Sequence, residues 1–381
     1  MLPFAFHPGP RLLSGAGRAV ELAEKLPPRP VLFVTDAGVR HLGLPDPCIL
    51  ALEASGRTVE IFDAVEADPS RATLLAAVEA GRAVGAASVI GFGGGSPMDV
   101  AKLAAYLLGS GDTLDAIWGV DQATGPRLPL ALVPTTAGTG SEATPISVIT
   151  CEGGVKMGVN ARPLTADWAV LDAELTLGLP RHVTAATGLD AIVHAVEAYT
   201  SARLKNPVSD ALAREALRLL AANLLTACEQ PLDRDARSAM LLGAHLAGLA
   251  FANAPVAGVH ALAYPLGGLH HIPHGLSNAL MLRHVLGHNL EAARGLYAEL
   301  GPILDPRCAG EGTQACAARL IEGLDELASA TGLPLRLRDH GIAQDEAPLL
   351  AREAMKQTRL LQNNPVEISQ ADAQRLYEAA W

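Results

Sequence analysis

An apolar run ends in a triple glycine in Ser88-Val-Ile-Gly-Phe-Gly93-Gly-Gly95-Ser96-Pro-Met-Asp99-Val-Ala-Lys102. The run predicts a strand and the glycines predict a tight loop, because glycine lets the backbone turn closely. Ser96 is a candidate helix cap, Pro97 fits a first helical turn, and Asp99 follows three residues after the cap. The stretch therefore predicts a strand, a loop and a helix start, where backbone N–H groups can close on a phosphate. It matches neither the G-x-G-x-x-G fingerprint nor the P-loop, so alone it is also compatible with an ordinary α/β turn.

The rest of the chain divides into two regions of different pattern. Short β-rich runs alternate with helical patterns before Leu179-Pro180, at residues 30–35, 58–62, 87–91, 128–133 and 168–171. Such alternation predicts a mostly parallel sheet. Long Ala/Leu-rich stretches with helical spacing follow, at residues 210–227, 236–253, 313–331 and 347–362. We therefore predict an α/β N-terminal domain, residues 1–179, and an all-helical C-terminal domain, residues 180–381.

Length and composition favour a well-buried globular protein. The chain has 381 residues, of which 49% are hydrophobic, and this is enough for two domains with their own cores. A formal net charge of −11 argues against nucleic acid or an anionic membrane as a partner. The five cysteines form no C-x-x-C pair, the N-terminus lacks a basic region followed by an apolar run, and no apolar stretch reaches about eighteen residues. These features predict reduced thiols, no signal peptide, no membrane span and a cytoplasmic location.

A histidine-rich segment is the first candidate for chemistry. Four of the twelve histidines lie within the fifteen residues from His260 to His274. Upstream, Asp190 and His194 stand four residues apart, a spacing that puts a carboxylate and an imidazole on one face of a helix. Two imidazoles from the later segment would complete four ligands for a divalent metal, and donors without thiolate favour Zn²⁺ or Fe²⁺. Any one of these histidines alone is compatible with an ordinary loop residue, but the set favours metal.

A second strand-to-loop junction is rich in small hydroxyl groups. It reads Pro134-Thr-Thr-Ala-Gly138-Thr139-Gly140-Ser-Glu142 and follows the apolar residues 128–133. Its hydroxyls can line a nucleotide site, although the same composition fits an ordinary polar turn.

Four motifs, taken in chain order, resemble the iron-containing (group III) alcohol dehydrogenase family: the glycine loop, this junction, Gly188-Leu-Asp-Ala-Ile-Val-His-Ala-Val-Glu-Ala-Tyr199 and the His260 to His274 segment. The likeness extends from Gly15 to Trp381. As in dehydroquinate synthase and glycerol dehydrogenase, the family fold is an N-terminal dinucleotide-binding α/β domain followed by an all-helical metal-binding domain. The resemblance implies a homodimer that acts on a small alcohol or carbonyl substrate. It also implies that Fe²⁺ or Zn²⁺ is held by four ligands, Asp190, His194, His260 and His274.

The same resemblance implies NAD as the cofactor. Asp36 follows the strand at residues 31–35, where a carboxylate can accept hydrogen bonds from a ribose 2′-OH and repel a 2′-phosphate. The alternative is that Asp36 only caps the next helix. Lys156 matches a lysine near the nicotinamide ribose and Leu175 matches an apolar contact to adenine, although a surface lysine and a core leucine would look the same. The other implied contacts are residues of the two loops: Gly93, Gly94, Gly95, Ser96, Asp99, Thr135, Thr136 and Thr139.

The implied chemistry is metal-assisted hydride transfer. The metal would polarise a substrate hydroxyl and lower its pKa, and hydride would pass to the nicotinamide or, in reverse, to an aldehyde or ketone. Many relatives have a histidine four residues after the third metal ligand, where it can relay protons, but this chain has Tyr264. A phenol with an ordinary pKa of about 10 relays protons poorly near neutral pH, although Tyr264 is a candidate hydrogen-bond donor. His270 and His271 are close in sequence and could substitute as the relay, and His271 is the predicted one. Asp68 stands where relatives often have Asn, and it can alter cofactor affinity or cap the helix after Pro69.

Other functions remain open. Residues 180–198, Asn206-Pro207 and the C-terminus resemble maleylacetate reductases, which often lack the complete metal set that is intact here. A metal-dependent lyase of the dehydroquinate synthase type shares the fold, but the dense basic residues for a phosphorylated substrate are not evident in the helical half. A non-catalytic binding protein is disfavoured by the complete ligand set. We therefore predict an NAD-dependent, metal-dependent alcohol dehydrogenase.

Overall fold

The chain forms two compact units in the computed structural model, which describes residues 3–381. One unit is Pro8–Leu177, and the other is Gly178–Trp381 together with residues 3–7. The division lies close to the change of pattern at Leu179-Pro180. Residues 3–7, which the sequence assigns to the N-terminal domain, group instead with the helical unit. The reason is His7, whose backbone N donates to Asn253 Oδ1 at 2.6 Å and whose carbonyl accepts from Asn253 Nδ2 at 3.0 Å.

Two sheets form the framework of the Pro8–Leu177 unit. Its described strands are β1 (Arg11–Ser14), β2 (Val31–Val34), β3 (Val59–Phe62), β4 (Ser88–Gly93), β5 (Gly119–Val120), β6 (Leu130–Pro134), β7 (Ile146–Thr150), β8 (Lys156–Asn160) and β9 (Trp168–Leu171). A six-stranded parallel sheet has the order β1-β9-β6-β4-β2-β3, and a small sheet has the order β5-β8-β7. The five strands that the sequence predicts are confirmed, and all of them lie in the parallel sheet.

Helices cover both faces of the parallel sheet, because alternate residues of its central strands face two separate cores. Leu32 and Val34 of β2 belong to one core, and Val31 and Phe33 belong to the other. The first core includes residues of α4 and α5, and the second includes residues of α1 and α3. The helices of this unit are α1 (Leu22–Lys25), α2 (Ala37–His41), α3 (Asp46–Ala54), α4 (Arg71–Val84) and α5 (Gly95–Ser110).

The helix after the glycine loop starts earlier than the sequence predicts. The predicted cap at Ser96 is wrong, because Gly94 is the N-cap of α5 and Ser96 lies within its first turn. Gly93 has a φ of 152°, and a Cβ there would lie 2.7 Å from Pro97 Cγ. Only glycine tolerates this conformation and this close approach. The loop is therefore tighter than a capped turn would be.

The Gly178–Trp381 unit is helical. Its described helices are α6 (Arg181–Thr200), α7 (Pro207–Glu229), α8 (Arg234–Asn253), α9 (Gly258–His270), α10 (His274–Leu304), α11 (Thr313–Ala330), α12 (Ala347–Ala354), α13 (Thr358–Leu361) and α14 (Gln370–Ala380). Helix α6 is central, because every residue from Gly188 to Thr200 is buried and α7, α8 and α10 pack against it. The helices predicted at 210–227, 236–253 and 313–331 are confirmed. The one predicted at 347–362 is interrupted by residues 355–357 and forms α12 and α13.

Two further predictions concern membranes and thiols. Within residues 3–381 no single helix is long and apolar enough to cross a membrane, and α8 and α9 meet that test only as a pair across a bend of 106°. The five cysteines are free thiols: Cys48, Cys151, Cys228, Cys308 and Cys316.

Candidate metal centre and cofactor loop

Three helices of the Gly178–Trp381 unit bring the four predicted metal ligands together. Asp190 and His194 lie one turn apart on α6. His260 lies in the first turn of α9, and His274 is the first residue of α10. Their ligand atoms, one from each side chain, all lie within 4.8 Å of one another. These four residues form one spatial group, which we call the ligand cluster.

Atoms that can bind a metal face one another across the ligand cluster. Asp190 Oδ1 lies 3.9 Å from His194 Nε2, 3.9 Å from His260 Nε2 and 3.7 Å from His274 Nε2. These three distances are too long for direct hydrogen bonds. The Asp190, His194 and His260 side chains are buried, whereas that of His274 is 41% exposed. Solvent therefore reaches the cluster at His274.

The chemistry of the ligand cluster fits a divalent cation. One carboxylate and three imidazoles offer oxygen and nitrogen without thiolate, a set that suits Fe²⁺ or Zn²⁺. Burial raises the pKa of Asp190, but the three facing imidazoles and the Asn278 amide outweigh it and hold the pKa below its ordinary value. Asp190 is therefore an ionised carboxylate in the interior, where a charge requires compensation.

Gly275 sets how closely α10 approaches α6. A Cβ at this position would lie 2.3 Å from the carbonyl oxygen of Ala186 and 3.2 Å from Asp190 Cβ. A side chain there would push the two helices apart, and His274 directly precedes this glycine. The close packing at Gly275 therefore holds His274 beside Asp190.

Asn278 and Phe251 also contact the ligand cluster, and neither residue was predicted from the sequence. Asn278 Nδ2 lies 2.6 Å from Asp190 Oδ1, 3.2 Å from His260 Nε2 and 3.3 Å from His274 Nε2. The Phe251 ring stacks on His194 with 4.4 Å between the ring centroids. Asn278 follows His274 by four residues on α10, so helical spacing could have identified it.

Glu197 lies behind His260 and was also missed. Its Oε2 accepts from His260 Nδ1 at 2.6 Å and from the backbone N of Ala257 at 2.9 Å, and its Oε1 accepts from Val259 N at 2.6 Å. Glu197 is three residues after His194 on α6, so the sequence places both on one helix face. No sequence pattern indicates that a segment about sixty residues later supplies the N–H groups that donate hydrogen bonds to Glu197.

The two predicted catalytic residues have different positions. Tyr264 lies one turn after His260, is half-buried, and has its ring centroid 6.1 Å from that of His274. His271 is exposed and caps the end of α9 with a φ of 56°, and its backbone N donates to Gly267 O at 3.1 Å. The structure therefore brings Tyr264 next to a predicted metal ligand. A relay role for His271 stays a prediction, and the adjacent His270 pairs with Glu346 at 3.2 Å.

Three strand ends meet at the glycine loop of the Pro8–Leu177 unit. A Cβ at Gly93 would lie 3.3 Å from Asp36 Oδ2, beyond the end of β2. A Cβ at Gly94 would lie 3.8 Å from Thr136 Oγ1, and one at Gly95 would lie 3.1 Å from Thr139 Cγ2. Thr135 N donates to Gly93 O at 2.9 Å. The loops after β2, β4 and β6 thus form one group at the carboxyl ends of neighbouring strands, where α/β sheets bind ligands.

Asp36 caps the next helix, but this role uses only one of its two carboxylate oxygens. Its Oδ1 accepts from Val39 N at 2.8 Å and caps α2. Its Oδ2 is the atom that faces Gly93. Capping therefore occupies one carboxylate oxygen and leaves the other directed at the glycine loop.

Asp99 and Lys102 form a buried network below the loop, which we call the lysine cluster. Lys102 Nζ donates to Ser141 Oγ at 2.7 Å, Thr144 Oγ1 at 3.3 Å and Ile146 O at 2.6 Å. Asp99 accepts from Ser141 Oγ at 2.6 Å and from Val148 N at 2.8 Å, and it lies 3.7 Å from Lys102 Nζ. Asp99 thus has internal partners, and its contact with a cofactor stays a prediction.

The remaining cofactor candidates have identifiable surroundings. Lys156, at the start of β8, pairs with Asp68 at 2.7 Å. Asp68 has a φ of 54°, a left-handed conformation that Asn and Asp tolerate better than most residues. Leu175 is half-buried and packs against the core that contains Phe33. Ser96 is half-buried in the first turn of α5.

The sequence matches two family models that together span most of the chain. Residues 9–173 match the model of iron-containing alcohol dehydrogenases, and residues 184–381 match the C-terminal model of the Fe-containing alcohol dehydrogenase family. Among similar proteins, long-chain-alcohol dehydrogenase 1 of Geobacillus thermodenitrificans is 40% identical over 365 residues, which are 94% of this chain and 91% of that protein.

Solved structures agree with the sequence comparison. A 1,3-propanediol oxidoreductase has a TM-score of 0.96 and 33% identity over 100% of both chains. Sulfoacetaldehyde reductase from Bifidobacterium kashiwanohense, in complex with NAD⁺, has a TM-score of 0.87 and 28% identity over 100% of this chain and 99% of that one. The fold and these similarities define the protein as an oxidoreductase. The chain belongs to the iron-containing alcohol dehydrogenase family, which confirms the resemblance seen in its motifs.

Proposed function

We propose that the protein is an NAD-dependent, metal-dependent alcohol dehydrogenase that transfers a hydride between NAD(H) and a small alcohol, aldehyde or ketone. The ligand cluster carries this proposal, because a buried carboxylate that faces three imidazoles suits a catalytic cation. Family membership supports the reaction class. The NAD⁺ complex of a similar sulfoacetaldehyde reductase supports the cofactor.

Asp190, His194, His260 and His274 would hold the divalent ion. When bound, such an ion supplies Lewis acidity that lowers the pKa of an alcohol hydroxyl. The protein contributes the fixed geometry of these ligands, which come from three packed helices of one unit. The 41% exposure of the His274 side chain gives a substrate a route to the cluster.

The glycine loop would bind the cofactor phosphates through its backbone N–H groups and the positive end of α5. Gly93, Gly94, Gly95 and Ser96 form this part of the proposed site, with the hydroxyls of Thr135, Thr136 and Thr139 beside them. Asp36 Oδ2 would accept from a ribose 2′-OH and repel a 2′-phosphate, so NAD is favoured over NADP. The other proposed contacts are Asp99, Lys156 and Leu175.

Tyr264 is proposed to shape the substrate pocket, because its ring lies near that of His274. His271 is the proposed proton relay, since an imidazole titrates nearer neutral pH than a phenol. We further propose that Pro8–Leu177 is the NAD-binding domain and that the helical unit is the metal-binding domain. Five free cysteines support a reducing, cytoplasmic location, and family membership supports a homodimer.

A maleylacetate reductase is the second candidate, but the complete ligand cluster argues against it because those enzymes often lack part of the set.

The experiment that tests the proposal is a screen of short alcohols, diols and hydroxy acids with protein loaded with Fe²⁺ or Zn²⁺. NADH absorbance reports turnover, and elemental analysis reports bound metal. We expect metal-dependent NAD reduction with at least one alcohol. Protein that binds neither metal, and that reduces NAD with none of these substrates, would contradict the proposal.

A further inference from the structure

A single buried carboxylate receives three N–H groups that all belong to the start of α9. Glu197 is 3% exposed and accepts from Ala257 N, Val259 N and His260 Nδ1. Ala257 is the N-cap of α9, and the helix has no side-chain cap of its own at that residue. Glu197 therefore satisfies N–H groups that a helix start leaves without intrahelical acceptors.

We propose that Glu197 is a positioning residue for the metal ligand His260. It fixes the backbone just before His260 through Val259 N, and it fixes the imidazole through Nδ1. The inference rests on the proposed function, because it gives Glu197 a role only in a site that binds metal.

The two ends of the His260 ring indicate the same tautomer. A carboxylate only accepts, so Nδ1 carries the proton that it donates to Glu197. At the other end, Asn278 Nδ2 lies 3.2 Å from His260 Nε2, and an amide N–H donates to an unprotonated nitrogen. The Asn278 amide cannot be reversed, because its oxygen would then lie 2.6 Å from Asp190 Oδ1. His260 therefore presents a lone pair at Nε2 to the ligand cluster before any metal binds.

A carboxylate behind a ligating histidine also strengthens the ligand. It holds the ring in place and raises the basicity of the coordinating nitrogen, and removing such a partner typically weakens metal binding by about 10- to 100-fold. Glu197→Gln is the most informative change, because it removes the negative charge behind the ring and leaves one acceptor oxygen for three N–H groups. One Gln oxygen can still accept from a backbone N–H, so part of the helix cap is kept.

The alternative is that Glu197 only caps α9. A cap would affect the stability of the helical unit, whereas a positioning residue also sets the histidine tautomer and the metal affinity. Asp305→Asn is the matched control. Asp305 is a buried carboxylate of the same unit that accepts from Arg307 N at 3.0 Å at the start of a short 3₁₀ helix.

The experiment combines ¹⁵N NMR of labelled histidines in the metal-free protein with chelator-competition titrations of Zn²⁺, at a pH above the ordinary histidine pKa. We expect His260, assigned by its loss in His260→Ala, to be protonated at Nδ1 in the wild type. Glu197→Gln is expected to shift the proton towards Nε2 and to weaken Zn²⁺ binding by about 10- to 100-fold. Asp305→Asn is expected to change neither.

The outcomes distinguish a failure of the inference about Glu197 from a failure of the proposed function. Wild-type protein that binds neither Zn²⁺ nor Fe²⁺ would overturn the proposed function and, with it, the role of Glu197. Wild-type protein that binds Zn²⁺ with His260 protonated at Nε2 in the metal-free state would overturn only the inference, and this measurement needs no folded variant. Unchanged Zn²⁺ affinity in Glu197→Gln would also overturn only the inference.

Discussion

The lysine cluster and the ligand cluster are both buried and polar, but their atoms are arranged in opposite ways. In the lysine cluster, the Lys102 ammonium lies against acceptors, and Asp99 lies against donors and the ammonium. In the ligand cluster, the Asp190 oxygen faces three imidazole nitrogens that can act as ligands. The first cluster contains its own cation and the second requires one. The charges of the lysine cluster therefore compensate each other, whereas the ligand cluster suits an added cation.

The shifts of pKa are consistent with this contrast. Burial lowers the pKa of Lys102 against the opposing effect of Asp99, and burial raises the pKa of Asp99 against that of Lys102. Burial therefore dominates in the lysine cluster, which is a cost that its hydrogen bonds offset. In the ligand cluster the facing groups dominate and the pKa of Asp190 is lowered.

The largest expected effect is the loss of a ligand. His260→Ala should lose bound metal and reduce metal-dependent turnover by about a thousandfold or more, the scale on which removing charge stabilisation acts. NAD binding should persist, because the glycine loop belongs to the other unit. Elemental analysis, turnover and NAD titration measure the three quantities. His288→Ala is the control, since His288 is a half-buried histidine of α10 outside the ligand cluster. Unchanged metal content in His260→Ala would contradict the assignment of the ligand cluster as the metal site, and with it the contrast to the lysine cluster.

A change in the lysine cluster should affect stability and leave the metal in place. Lys102→Met removes the cation and leaves Asp99 buried without it, so we expect unfolding to become easier by about 3 kcal/mol. Denaturant titration measures the stability, and elemental analysis of the folded protein measures the metal. Adding Asp99→Asn should recover part of the loss, because the two residues are coupled. A Lys102→Met protein that keeps full stability but loses metal would reverse the assignment of the two clusters.

Asp36 tests whether the Pro8–Leu177 unit determines which cofactor binds. Asp36→Gly should raise the use of NADP relative to NAD by about tenfold, which corresponds to about 1.4 kcal/mol of relieved repulsion. Asp36→Asn is the matched variant that can keep the cap on Val39 N while removing the charge. Steady-state kinetics with both cofactors measure the ratio. The charge argument fails if the wild type already prefers NADP, or if only the Gly variant changes the ratio.

The smallest effect is expected at Tyr264. If this side chain only shapes the pocket, Tyr264→Phe should keep turnover within about threefold, because it removes one hydroxyl and little volume. A fall of about tenfold or more would instead indicate a catalytic hydrogen bond. The pH dependence of turnover in Tyr264→Phe and His271→Ala distinguishes pocket shaping from a shared proton relay. Matching losses in both variants would place the two residues on one proton relay, against the pocket-shaping role.

Local patterns were sufficient for most of the elements, whereas the complete ligand set also needed the family's motifs. The five predicted strands are short β-rich runs of the six-stranded parallel sheet, and Asp190 and His194 have a spacing that a helix brings onto one face. The short strands β5, β7 and β8 carry no comparable pattern, because two to five partly buried residues do not fix a period.

What the sequence could not supply is contact across distant segments. Glu197 reaches His260 only because α6 and α9 pack together, and Lys102 reaches Ser141 only because α5 lies against the loop after β6. His271 is predicted from its nearness in sequence to Tyr264, and its relay role stays a prediction. His271 is itself the left-handed residue that ends α9, and it is exposed, which sequence distance alone does not report.

The supply of ligands by α6, α9 and α10 also determines when during folding the protein can acquire its metal. Asp190, His260 and His274 are far apart along the chain, so a complete coordination site exists only after the three helices have packed. Metal would therefore meet all four ligands only in the packed helical unit, because the unfolded chain has no preformed site. Interactions that are absent from the transition state of folding slow the unfolding of a protein and leave its folding rate unchanged. The bound ion would in this way slow the unfolding of a helical unit that has already folded.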